Sequence, residues 1–79
     1  MSTFTIGRFI YKERKETFGQ RLRRIRKEKK LTQTALAKKV GVAPQYIHLY
    51  ESGKYRPSLQ MFEWICQALE VSSSELLGI

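Results

Sequence analysis

The chain has 79 residues, one cysteine (Cys66) and one histidine (His48), so it has room for one small domain but for neither an internal disulfide nor a four-ligand Cys/His zinc site. One His, one Cys and no Asp leave no set of nucleophile, base and orienting acid, so neither an enzyme nor a metal or cofactor site is expected. The net charge of +8 points to a polyanionic partner, with solubility as the plain alternative, and no apolar run approaches the roughly 20 residues that a membrane span needs.

Residues 1–16 read as an N-terminal extension ahead of a domain at 17–79. Thr3-Phe4-Thr5-Ile6 and Phe9-Ile10-Tyr11 are rich in β-formers and flank Gly7-Arg8, which fits a two-residue type II′ hairpin. An isolated hairpin is marginal in water, so it needs a further sheet or chain to cover it; a frayed arm is the other reading. No signal-peptide pattern opens the chain, and a cytoplasmic setting is expected.

Thr17-Phe18-Gly19-Gln20 has the spacing of a capping box, in which the Thr hydroxyl and the Gln side chain satisfy free amides at a helix start. The spacing predicts a first helix from about Phe18 to Lys29, with Phe18, Leu22, Ile25 and the stem of Arg26 inward and Arg21, Arg23, Arg24 and Lys27 in solvent. Thr32 is the expected N-cap of a second helix, Gln33 to Val40, with Leu36, Ala37 and Val40 inward. The small Ala37 side chain lets the next helix cross closely, and Gly41 ends the helix where a positive φ is required. A third helix follows with Ala43 at its cap and Pro44 in its first turn, where a missing N–H costs nothing. Ile47 and Tyr50 then face inward. Helical spacing sends Pro44, Gln45, His48 and Leu49 outward, with Tyr46 on the flank.

Ser58 caps a fourth helix whose apolar stripe is Leu59, Phe62, Ile65, Cys66 and Leu69. Trp64 belongs either to the core or to an interface. Ser72-Ser73-Ser74-Glu75 is a second capping box and opens a short fifth helix carrying Leu76 and Leu77, so the serine run is structural. Cys66, among apolar neighbours, reads as core. Charge is distributed unevenly over these elements. Residues 1–56 hold all fifteen Lys and Arg with four Glu, a net +11, whereas residues 57–79 hold three Glu and no cation. A cationic front and an acidic rear suit a body that lays one side on a polyanion.

Two short helices joined at Gly41, the second opening Ala-Pro-Gln, form a helix-turn-helix pattern whose second helix can lie in a DNA major groove. The anchors are Leu31-Thr32-Gln33, Leu36-Ala37, Gly41-Val42, Ile47 and Tyr50-Glu51-Ser52-Gly53-Lys54. Pro57-Ser58-Leu59, Ala68-Leu69-Glu70-Val71-Ser72 and Glu75-Leu76-Leu77 continue them. Over about Phe18 to Leu77 the chain resembles the phage repressor and Cro-type (XRE) helix-turn-helix regulators. The resemblance implies an all-α, five-helix lambda-repressor-like DNA-binding domain. It also implies that Gln33 grips a phosphate, that Arg26 pairs with Glu51, and that the loop Lys54-Tyr55-Arg56 touches the phosphate strand.

Of the outward residues, Gln45 can pair bidentately with adenine, His48 can donate or accept at a base edge, and Leu49 can meet a thymine methyl. Pro44 offers no donor, a departure from relatives that carry a polar reader there, and shifts weight to DNA shape. Tyr46 either touches sugar and phosphate or shields the core. Thr32, Gln33, Ser52, Lys54 and Arg56 are the expected backbone contacts, with Lys38 and Arg23 as further candidates.

One such module reads too few base pairs to find a site in a genome, so a homodimer on a palindromic operator is expected. Helix 5 with Leu76, Leu77 and Ile79 is the favoured pairing surface, assisted by Phe4, Ile6, Phe9, Ile10 and Tyr11 of the extension. The function so implied is a sequence-specific transcriptional regulator, a repressor more than an activator, in the cytoplasm and associated with the nucleoid through DNA. An antitoxin-type module that binds a partner protein and its own promoter is the alternative.

Overall fold

A computed structural model describes residues 16–79; the hairpin or arm at the start of the chain, with Phe4, Ile6, Phe9, Ile10 and Tyr11, lies outside the described residues. Five helices follow one another: α1 Phe18–Glu28, α2 Gln33–Val40, α3 Pro44–Ser52, α4 Leu59–Leu69 and α5 Ser73–Leu77. The described residues contain no strand. The first helix stops one residue short of the expected end, with Lys29 as its C-cap.

Local chemistry sets each start. The capping boxes of Thr17 with Gln20 and of Ser72 with Glu75 are closed in both directions. Thr32 and Ser58 accept from the backbone amides of Ala35 and Met61. Ala43 makes no side-chain cap, and Pro44 at the first helical position removes one of the amides that would need it. Gly41 ends α2 at φ 90°, a left-handed conformation that an L side chain enters only with strain.

The core joins all five helices. Leu22, Leu36, Ala37, Ile47, Ile65 and Leu76 are fully buried, with Ile25, Tyr50, Phe62, Cys66 and Leu69 around them. Each fully buried Leu or Ile contributes about 1.5–3 kcal/mol relative to exposure. α3 packs on both α1 and α2, α2 also meets α4, and α5 bridges α1 and α4. Burial pushes the Cys66 thiol up, with a smaller push from Glu63, so the thiol stays protonated in its core position.

Several side chains depart from the sequence expectations. Arg21 is not a solvent residue. Its guanidinium donates to the carbonyls of Leu76 (3.4 Å) and Leu77 (3.1 Å) and to that of Glu16 (3.2 Å). The last carbonyls of a helix lack intrahelical partners and carry partial negative charge, so a cation settles there. Leu59, expected in the apolar stripe of α4, is 73 % exposed among the described residues, at the first position of the helix. Leu76 is fully buried and therefore presents no surface for pairing, while Leu77 and Ile79 stay exposed. Trp64 is outside the core at 45 % exposure. Arg24 is held in a surface network, 2.7 Å from Glu16 and 3.1 Å from Glu28. Its hydrogen bond holds the Glu16 carboxyl below the usual carboxylate range.

α1 approaches α3 through Gly19. A Cβ there would collide with the backbone carbonyl oxygens of Tyr50, at 2.7 Å, and Glu51. In an open helix Gly→Ala is stabilising by about 0.5–1 kcal/mol; here the sign reverses. Gly19→Ala is expected to destabilise the fold by about 1–3 kcal/mol, read as a lower urea midpoint, and an unchanged midpoint would refute this close approach.

Candidate nucleic-acid interface

The two central helices meet through the tight Gly41-Val42-Ala43 turn, in which the Gly41 and Val42 amides both donate to the Ala37 carbonyl. Ile47 and Tyr50 anchor α3 to the core, and burial raises the Tyr50 phenol above its ordinary pKa, with a smaller push from Tyr46. On the other side of that helix Pro44, Gln45 and His48 are exposed together. Leu49 differs from them. It is half-buried, and its backbone carbonyl accepts from the Lys54 and Tyr55 amides of the loop after α3. Tyr46 is 43 % exposed with its ring 6.5 Å from that of Tyr50, so one edge covers the core while the other faces solvent.

An ion pair fixes the base of this helix. Arg26 donates from Nε to Glu51 Oε2 at 2.6 Å and from Nη2 to Glu51 Oε1 at 3.1 Å, a two-pronged geometry that only a guanidinium makes. Both side chains are more than nine-tenths buried. The third guanidinium nitrogen, Nη1, donates to the Leu31 carbonyl at 2.8 Å, and Gln33 Nε2 donates to Glu51 Oε1 at 3.0 Å. One cluster therefore links α1, the α1–α2 turn, the first residue of α2 and the end of α3.

The remaining residues expected at a phosphate backbone fall into two groups. Thr32, Lys54 and Arg56 are exposed. Thr32 accepts with its oxygen, which leaves the hydroxyl proton free to donate. Ser52 is also exposed, but its hydroxyl donates to the Leu49 carbonyl at 3.1 Å and so has no proton to offer. The Gln33 side chain is turned inward to Glu51. Its backbone amide, at the opening turn of α2, lacks an intrahelical partner and suits an anion. Lys38 and Arg23 are exposed too. The Gln33–Glu51 bond escaped the sequence reading, since nothing in residue spacing ties a helix start to a carboxylate 18 residues later.

A helix-turn-helix family model matches residues 22–76. The immunity repressor of Bacillus phage phi105 is 42 % identical over 62 residues, covering 78 % of this chain and 43 % of that protein. The chain spans about half the length of the curated relatives it matches. Among solved structures, the P22 c2 repressor in complex with a synthetic operator superposes with a TM-score of 0.75 at 33 % identity, over 80 % of this chain and 96 % of the other. The biofilm regulator SinR in complex with DNA gives 0.72 at 39 % identity, over 77 % and 98 %.

Breaking the buried cluster on one side leaves a carboxylate without its partner. Arg26→Ala is expected to cost on the order of 3–5 kcal/mol in urea denaturation. Arg26→Met combined with Glu51→Met is expected to cost less than Arg26→Ala alone, because no uncompensated charge remains. Simple additivity of the two single losses would contradict this account.

Proposed function

The chain belongs to the helix-turn-helix family, and from that membership we propose that it is a non-enzymatic, DNA-binding transcriptional regulator: a homodimeric repressor that reads a palindromic operator through α3 in the major groove. The observation that carries this reading is the two-sidedness of α3. Ile47 and Tyr50 hold one side in the core, and Pro44, Gln45 and His48 stand free on the other. The P22 c2 repressor and SinR, with which the fold superposes, are both solved bound to DNA.

In this assignment Gln45 reads adenine through its amide, and His48 meets a base edge. Pro44, without a donor, fits against the groove wall. Leu49 contributes only the exposed part of its half-buried side chain, as a contact to a thymine methyl. Thr32, the Gln33 amide, Lys54 and Arg56 hold phosphates, with Tyr46 beside a sugar; Ser52 joins them once its hydroxyl turns from Leu49. These contacts fix register, and the base contacts choose sequence. No helix among the described residues is long and apolar enough to cross a membrane. The setting we assign is the cytoplasm, on the nucleoid.

Two copies related by a two-fold axis would set their recognition helices about 34 Å apart, one helical turn of DNA. Of the surface first expected to pair them, Leu77 at the end of α5 and Ile79 beyond it remain exposed.

Selection of bound fragments from random duplex DNA is expected to return an inverted repeat; recovery without any shared sequence would overturn specific reading. Gln45→Ala is expected to lose about 1–3 kcal/mol on the selected site alone. Arg56→Ala is expected to weaken selected and scrambled DNA alike and to reduce the salt slope by about one unit. Equal loss on both DNAs for Gln45→Ala, or an unchanged slope for Arg56→Ala, would contradict the assigned role.

A further inference from the structure

A surface groove of about 330 Å³ lies between α2 and α4, and none of the residues lining it belongs to the proposed DNA face. Trp64, Gln67 and Ala68 line it from α4, at the i, i+3 and i+4 spacing that sets them on one stripe. Lys39 and Val40 line it from α2, and Glu70 stands at one end. The lining is mostly polar. Lys39, Gln67 and Glu70 are exposed, and the ring of Trp64, itself 45 % exposed, supplies the one broad apolar wall.

Charge is what distinguishes this groove. α2 ends at Val40 and α4 at Leu69, so both helices bring their C-terminal turns to it. The last carbonyls of a helix carry partial negative charge and favour a cation beside them. Lys39 meets that preference in the last turn of α2. Glu70 does the reverse and sets a carboxylate at the negative end of α4. It also holds a left-handed backbone at φ 59°, which glycine would adopt without strain. Local physics thus disfavours Glu70 twice, and a residue kept against a local cost points to a partner. Among the described residues neither Glu70 nor Lys39 forms an ion pair, so two opposite charges border one groove without meeting.

We propose that this groove binds a small zwitterion, a free α-amino acid with an apolar side chain. Its carboxylate pairs with Lys39. Its ammonium is held by Glu70, by the carbonyl ends of the two helices and by the face of Trp64, whose ring quadrupole attracts a cation. Gln67 can donate to the carboxylate or accept from the ammonium. The ligand's side chain lies along Val40, Ala68 and the rest of the Trp64 ring. A ligand with one charge would leave the opposite rim unanswered. The groove is small and open to solvent, which sets the affinity in the millimolar range. The site does not rest on the regulator reading and is tested without DNA.

Trp64 is the only tryptophan, so its emission reports the groove directly. L-Leucine added to the full chain at low salt is expected to shift that emission saturably. Two analogues each remove one charge from the same skeleton: isopentylamine lacks the carboxylate and isocaproate lacks the ammonium. Each is expected to bind about threefold or more weakly than leucine, the size of one exposed charge pair. Lys39→Gln is expected to weaken leucine by a similar factor without weakening isopentylamine. Glu70→Gln is expected to weaken leucine without weakening isocaproate. Glu70→Gly separates the groove from folding: the melting temperature of the free chain is expected to rise while leucine binding falls.

The proposal is overturned if leucine leaves Trp64 emission unchanged up to its solubility limit, or if either single-charge analogue binds as tightly as leucine. It is equally overturned if both glutamine variants bind leucine like wild type. A fall in melting temperature for Glu70→Gly would also overturn it, by placing the carboxylate in the service of the fold.

Discussion

The bidentate contact between Arg26 and Glu51 is the constraint on which the geometry of the helix pair depends. One guanidinium holds the last turn of α3 through the carboxylate and the α1–α2 turn through the Leu31 carbonyl, while Gln33 adds the start of α2 to the same carboxylate. Burying such a pair brings no large net stability over an apolar replacement. What it supplies is position: three directions of hydrogen bonding that only one arrangement of the helices satisfies. The outward side of α3 and the opening amides of α2 are thereby held in a fixed relation, as a surface that meets a groove and a phosphate strand together requires.

Packing completes what that cluster orients. Ala37, fully buried, and Gly19, whose Cα lies against α3 carbonyls, are the small residues at the close approaches. Larger side chains fill the centre, where Leu22, Leu36, Ile47 and Ile65 are wholly covered. The charge pattern follows the architecture. α4 and α5 carry acids and no cation, while every lysine and arginine precedes them in the chain, several on α1, α2 and the loop after α3.

Much of this was legible in the residues, because it depends on neighbours in sequence. Capping boxes act across three residues, and Thr17 with Gln20 and Ser72 with Glu75 placed two helix starts correctly. Gly41 marked the end of α2 for a purely local reason, its φ. Periodicity separated Ile47 and Tyr50 from Gln45 and His48. The missed features depend on distant partners or on the ends of elements. Arg21 reads as a solvent residue until α5, more than fifty positions away, is seen to end against it. Leu59 has the right phase for the core and the wrong place, at a helix end left open among the described residues. Leu49 has the right phase for solvent, yet it is half-buried at the end of α3 that the following loop caps. The inward turn of the Gln33 side chain likewise follows from the tertiary position of Glu51.

Arg21 joins two places that the chain order keeps far apart. Its guanidinium bridges the carbonyl of Glu16, where the described fold begins, to those of Leu76 and Leu77, where its last helix closes. Entry and exit of the folded body therefore share one corner. Tension applied between Glu16 and Leu77 would load that guanidinium staple before any helix had to unwind. A short bridge across the same corner would close residues 16–77 into a ring with little loss of their native shape.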